Sequence, residues 1–251
     1  MNGTSIPIGI GQRIRLEWLE QTAGLVMAGN DRQTVTAVLQ EQLQEMVAAG
    51  STAPRNSREK GITVLLRVWL QSKPEHQPLR QTGLELLSTL SGPNRLVVHW
   101  GMISAVYPFW ALVAIQVGRL LRLQDTVAAE QIQRRVRERL GERESVSRST
   151  HWVIRSMIDW GVLAETGKKG WYRAGMIVPV DDIRLVAWVI ESILHASGKQ
   201  TAVLDEVFST SSLFPFQLRR LGVRQLQAVN PRLEFVRQGL AEDLVMLAGK
   251  C

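Results

Sequence analysis

Residues 147–175 read SRSTHWVIRSMIDWGVLAETGKKGWYRAG. Together with Val146, the apolar side chains Val153, Ile154, Met157, Ile158 and Trp160 recur every three or four positions, which predicts a helix buried along one side. Gly161 ends that helix. Val162-Leu163-Ala164-Glu165 and Trp171-Tyr172-Arg173 then read as two short strands joined by the turn Thr166-Gly167-Lys168-Lys169-Gly170. A helix followed by a hairpin with a cationic tip is therefore expected.

With the apolar positions turned inward, Arg148, His151, Trp152, Arg155 and Asp159 face outward. Arginine can read guanine edges through two parallel hydrogen bonds, and Ser147, Ser149 and His151 can add bonds to phosphate or base. Lys168 and Lys169 sit between two glycines at the tip, where flexible cations neutralise phosphates and release counterions, and Arg173 follows on the returning strand. The candidate DNA contacts are Ser147, Arg148, His151, Arg155, Lys168, Lys169 and Arg173. Plain solvation is the competing account of an arginine on a helix face. The nearby Arg134, Arg135, Arg137 and Arg139 are interleaved with Glu130 and Glu138 in a spacing that suits surface ion pairs.

Working upstream, a helix from about Pro108 to Leu123 is followed by Gln124-Asp125-Thr126. Asp125 or Thr126 is expected to cap a second helix that runs to Leu140 and stops at Gly141. A polar connection, Glu142 to Val146, then leads to Ser147 as the cap of the third helix. Three helices followed by a hairpin resemble the winged helix-turn-helix superfamily over residues 107–175, most specifically at Asp159-Trp160-Gly161-Val162-Leu163 and the Gly-Lys tip. That resemblance implies a third helix entering the major groove of double-stranded DNA, with the hairpin tip along phosphates. Modules of this kind also bind protein, so an interaction module docking through Trp152 or the amino-terminal helices stays open as the rival.

The flanking regions, 1–106 and 176–251, are read as mainly helical. Apolar spacing predicts two amphipathic helices between Gln12 and Ala49 around the turn Asn30-Asp31. Ser51 to Ser57 favours turns, Ser57 can cap a helix through Leu70, and Pro74 and Pro78 end that run. Another helix covers Leu79 to Leu90, ahead of the turn Ser91-Gly92-Pro93-Asn94. From Leu96 to Val117, twenty-two residues carry no Lys, Arg, Asp or Glu, a run long enough to span a bilayer. Pro108 divides it, and His99, Gly101, Ser104 and Gln116 weaken a lipid-facing helix. Two core helices meeting at Tyr107-Pro108 are expected instead, with no membrane partner.

In the last region a helix starts at Asp181-Asp182 and ends at Ser197-Gly198. Short helices around Ala202–Phe208 and Phe216–Val229 precede a hairpin, Leu233–Val236 with Leu244–Leu247. The order repeats, and suggests a second, degenerate winged helix with Arg219, Arg220 and Arg224 on its third helix. A helical cap on the first module is the alternative.

Composition agrees with this reading. The 251 residues carry a net charge of +7, and the segment 119–173 holds twelve basic against seven acidic side chains. An acidic partner is favoured. The one cysteine, Cys251, excludes an intramolecular disulfide and cysteine-based metal frameworks, and the four histidines have no metal-ligand spacing. No phosphate-binding glycine loop or nucleophile-elbow motif occurs, and the adjacent Asp181 and Asp182 point apart on a helix. A non-enzymatic protein without cofactor or metal is expected. Met1 to Gln12 lacks a secretory pattern, which makes the cytoplasm the default.

The helical amino-terminal region with the basic helix SREKGITVLLRVWL (residues 57–70), the Tyr-Pro-Phe helix opening and the segment quoted first resemble the BrxA-type proteins of bacterial BREX phage-defence systems. That resemblance implies a DNA-binding component of a multi-protein defence complex, with other subunits of the complex as partners.

Overall fold

In a computed structural model, residues 6–48, 55–238 and 242–249 are described. The apolar run Leu96–Val117 forms most of two helices, α5 and α6 below, bent by 117° at Tyr107. Pro108 occupies the first turn of the second, where its missing N–H costs nothing. Among the described residues no single helix is long and apolar enough to cross a membrane.

Ahead of this pair lie α1 (Leu16–Met27), α2 (Arg32–Ala48), α3 (Arg55–Trp69) and α4 (Gln77–Thr89), followed by α5 (Asn94–Val106) and α6 (Pro108–Leu121). The Asp31 carboxylate accepts the Thr34 N–H at 2.8 Å and starts α2, as the turn at Asn30-Asp31 predicts. One expectation fails here. Helix α3 begins at Arg55, so Ser57 lies inside it rather than at its cap. That helix ends at Trp69, ahead of Pro74 and Pro78 as expected, and Pro78 sits in the first turn of α4.

Next come β1 (Thr126–Ala128), α7 (Ala129–Leu140), α8 (Glu144–Asp159), β2 (Leu163–Glu165) and β3 (Trp171–Ala174). The three strands form an antiparallel sheet in the order β1-β3-β2, with Arg173 opposite both Thr126 and Ala164. Thr126 is therefore a strand residue, not a helix cap. Helix α7 starts after Ala128, whose N–H is accepted by the Gln131 side chain at 2.9 Å. Helix α8 starts at Glu144, with Arg143 as its flanking residue. The connection from α7 is only Gly141–Arg143, made possible by Gly141 at φ +90°. Ser147 consequently lies within the helix.

The rest of the chain forms β4 (Val178–Val180), α9 (Ile183–Ser197), β5 (Thr201–Val203), α10 (Leu204–Phe208), β6 (Phe216–Leu218), α11 (Val223–Val229), β7 (Leu233–Gln238) and β8 (Glu242–Leu247). Asp182 caps α9 by accepting the N–H groups of Arg184 and Leu185. Ala202 and Val203, and Phe216–Leu218, expected to be helical, lie in strands. Strand β6 pairs in parallel with β4, and β5-β8-β7 form a second antiparallel sheet. The turn expected at Gln238-Gly239 enters residues 239–241, which lie outside the described residues.

The series helix, strand, helix, helix, strand, strand occurs as α6-β1-α7-α8-β2-β3, and again as α9-β5-α10-α11-β7-β8 with the turn Ser211–Leu213 and β6 inserted between α10 and α11. In both sheets the third strand lies between the first and the second.

One continuous apolar core joins all regions. The Trp100 ring of α5 meets Trp110, Trp160, Phe214 and Phe216, with centroids between 5.5 and 6.0 Å away. These edge-to-face contacts tie the middle of the chain to both repeats. The amino-terminal segment is fixed behind α8: Trp160 Nε1 donates to the Ile14 carbonyl at 2.9 Å, and the Ile14 N–H donates to Ser156 Oγ at 2.8 Å.

Candidate nucleic-acid interface

Helix α8 buries Val146, Val153, Ile154 and Met157. Its polar side follows from the same periodicity: Arg148 and His151 are exposed, and Ser147 and Arg155 are half-buried. Two residues read as outward-facing are not. Trp152 is half-buried against the core, edge-on to His151 at 5.2 Å. Ser149 is buried and withdrawn from any partner surface. A helix face is broader than its polar residues suggest, because the preceding helix shields one border of the stripe.

The outward cations differ in how they are held. Arg148 pairs with Glu144 one turn earlier, and Arg155 with Glu165 of β2 at 2.7 Å. Arg137 of α7 donates to Ser147 Oγ at 3.3 Å and pairs with Glu142 at 2.9 Å. Such exposed pairs contribute about 0–1 kcal/mol and exchange readily for a phosphate.

The hairpin is better primed. Lys168, Lys169 and Arg173 are exposed and have no acidic partner among the described residues. Lys168 Nζ lies 4.1 Å above the Trp171 ring, a cation–π contact that orients the side chain without neutralising it. Backbone hydrogen bonds from Thr166 to Trp171 and from Trp171 to Lys168, each 3.1 Å, close the turn. Arg135, Arg139 and Arg143 on and after α7 likewise lack acidic partners among the described residues, whereas Arg134 pairs with Glu138.

Burial, and then the charge of Arg155, push the His151 imidazole below its ordinary pKa, so it is neutral at physiological pH. It offers one donor and one acceptor rather than a charge.

Of the cations expected on the third helix of the second repeat, only Arg224 lies on α11. Arg219 and Arg220 belong to the connection before it. Arg220 is paired with Asp205 and stacked over Phe208 at 5.7 Å. The second repeat therefore presents far fewer unpaired cations than the first. Among the described residues no three His, Cys, Asp or Glu side chains gather in a way that could hold a metal ion. In comparison with known proteins, no family model matches the chain, and no solved structure matches it.

Proposed function

We propose that the chain binds double-stranded DNA through residues 107–175, acting as a winged helix-turn-helix, with no chemistry of its own. The observation that carries this reading is the coincidence of strand order β1-β3-β2 with three unpaired cations on the hairpin and four polar groups on the exposed side of α8. In this reading α8 enters the major groove, where Arg148 and Arg155 exchange Glu144 and Glu165 for base edges or phosphates and Ser147 and His151 supply neutral hydrogen bonds. Lys168, Lys169 and Arg173 lie along the backbone. The second repeat, poorer in unpaired cations, serves as a second, degenerate winged helix that buttresses the first. From the layout resembling BrxA-type proteins we further propose a regulator or DNA-recruiting subunit of a multi-protein bacterial defence complex.

The test is a fluorescence-anisotropy titration of the full chain with unrelated duplexes, from about 50 to about 200 mM salt. Binding is expected to weaken steeply with salt. Lys168→Ala with Lys169→Ala should weaken binding to every duplex alike and lower the slope of log K against log salt by about 1 for each lysine on a phosphate. An unchanged slope removes the hairpin from the site. No duplex affinity at all, together with a stable protein complex lost on Trp152→Ala, favours the interaction module.

A further inference from the structure

A cavity of about 840 Å³ lies between the two repeats, walled by α5, α6 and α9 and by the segment from Glu206 to Phe216. Its size falls in the range of about 300–1,000 Å³ that takes a drug-sized molecule. Most of its wall is aliphatic, as at Leu112, Ile115, Ile193, Val207 and Leu213. Two polar groups interrupt that wall. Gln116 is only 5% exposed and lines the cavity. Ser104 is 7% exposed and its Oγ has no partner. Buried polar groups are nearly always paired, so the unpartnered Ser104 hydroxyl calls for an occupant.

The solvent edge of the cavity is cationic. Arg119, Arg122, Arg135 and Lys199 line it and are exposed, against Glu206 as the acid. Arg122 is engaged by the Ser209 carbonyl at 2.6 Å, while Arg119, Arg135 and Lys199 have no acidic partner among the described residues. Helix α6 orders these features along one face. Leu112, Ile115, Gln116 and Arg119 fall at positions i, i+3, i+4 and i+7, so the wall passes from hydrocarbon to amide to guanidinium over two turns.

We propose that this cavity binds a small amphipathic anion, an aliphatic chain ending in a carboxylate. The chain lies along Leu112 and Ile115, and the head group is held jointly by Gln116 and Arg119, with Arg135 and Lys199 supplying further positive potential. DNA phosphates cannot account for the site, because the aliphatic interior and the buried amide lie beyond the reach of a duplex backbone. Neither the occupant nor its binding depends on the DNA reading.

The experiment titrates the full chain with octanoate, decanoate and dodecanoate below their micellar concentrations, read by calorimetry and by tryptophan fluorescence, since Trp100 lines the cavity. One saturable site is expected, tightening by at least about tenfold for each two carbons, since each buried methylene contributes about fourfold. Arg119→Gln should weaken dodecanoate about tenfold and leave dodecanol unchanged. Ala196→Phe, which fills the cavity from α9, should abolish binding of both. If that variant does not fold, Gln116→Leu tests the head-group end instead and should reduce the preference for carboxylate over alcohol. Absence of saturation, equal affinity for dodecyltrimethylammonium, or dodecanoate binding unaffected by Arg119→Gln and Gln116→Leu would overturn the assignment.

Discussion

His99 shows how one side chain can tie protonation to folding. It is completely buried, its Nδ1 accepts the Trp69 indole N–H at 3.2 Å, and its Nε2 stands 3.2 Å from Glu20. A ring that accepts at Nδ1 is neutral, in agreement with burial pushing its pKa below the ordinary value. Burial opposes the charge of Glu20, but contacts from His99 and Arg95 outweigh it and hold the carboxyl at about 2. Both shifts have the same sign. The unfolded chain takes up protons at these groups before the folded chain does, so stability is present at neutral pH and is lost on acidification. The loss begins near pH 6.5 through His99, with His151 adding in the same direction, and continues below 4.5 through Glu20. Urea midpoints across pH should fall accordingly, and His99→Asn should reduce the upper arm to the share of His151 and shrink the lower one, since Glu20 loses one of the partners that lower its pKa. An undiminished upper arm would assign it to other groups. None of this could be read along the chain, because Glu20, Trp69 and His99 meet only through the packing of α1, α3 and α5.

Glycines in two helices carry opposite expectations for one substitution. Helix α6 runs so close to the turn Ser211–Leu213 that a Cβ at Gly118 would stand 2.0 Å from the Ser211 carbonyl oxygen. Backbone must shift, so Gly118→Ala should destabilise by about 1–3 kcal/mol. A Cβ at Gly24, in the interior of α1, meets nothing within 4 Å. Gly24→Ala should therefore stabilise by about 0.5–1 kcal/mol through helix propensity. Thermal melts of the two variants check both signs. Elements with long amphipathic patterns were legible in advance: α8 from Val146 to Trp160, α9 from its Asp182 cap, and the α5–α6 break at Pro108. The strands β1, β4, β5 and β6 were not. Each has three residues, too few to show an alternating pattern, and each exists because a distant partner supplies its hydrogen bonds. The same limit applies to the site. Arg148, His151 and Arg155 follow from helical spacing, but the burial of Ser149 and the half-burial of Trp152 depend on neighbouring elements.

The regions of the molecule are joined by a buried charge as well as by aromatic packing. Glu191 of α9 is 1% exposed and accepts two bonds from Arg232, at 2.8 and 2.9 Å, and one from Asn230 at 2.8 Å. Arg232 also donates to Thr82 of α4 at 3.0 Å, which links the second repeat to the amino-terminal helices. Arg232→Ala leaves a buried carboxylate without its cation and should cost about 3–5 kcal/mol in denaturant unfolding. Adding Glu191→Gln should recover part of that loss, since the residual amide is uncharged; no recovery would show that Arg232 acts through packing alone. The chain's own order of residues determines its helical character, the division of its apolar run and the gathering of positive charge between Arg119 and Arg173, because periodicity, proline geometry and composition are local properties. Tertiary structure alone decides the repeated strand order, the ion pair that engages Arg155, and the cavity around Gln116. Those features depend on which distant segments come into register, and chain-local patterns do not encode such pairings.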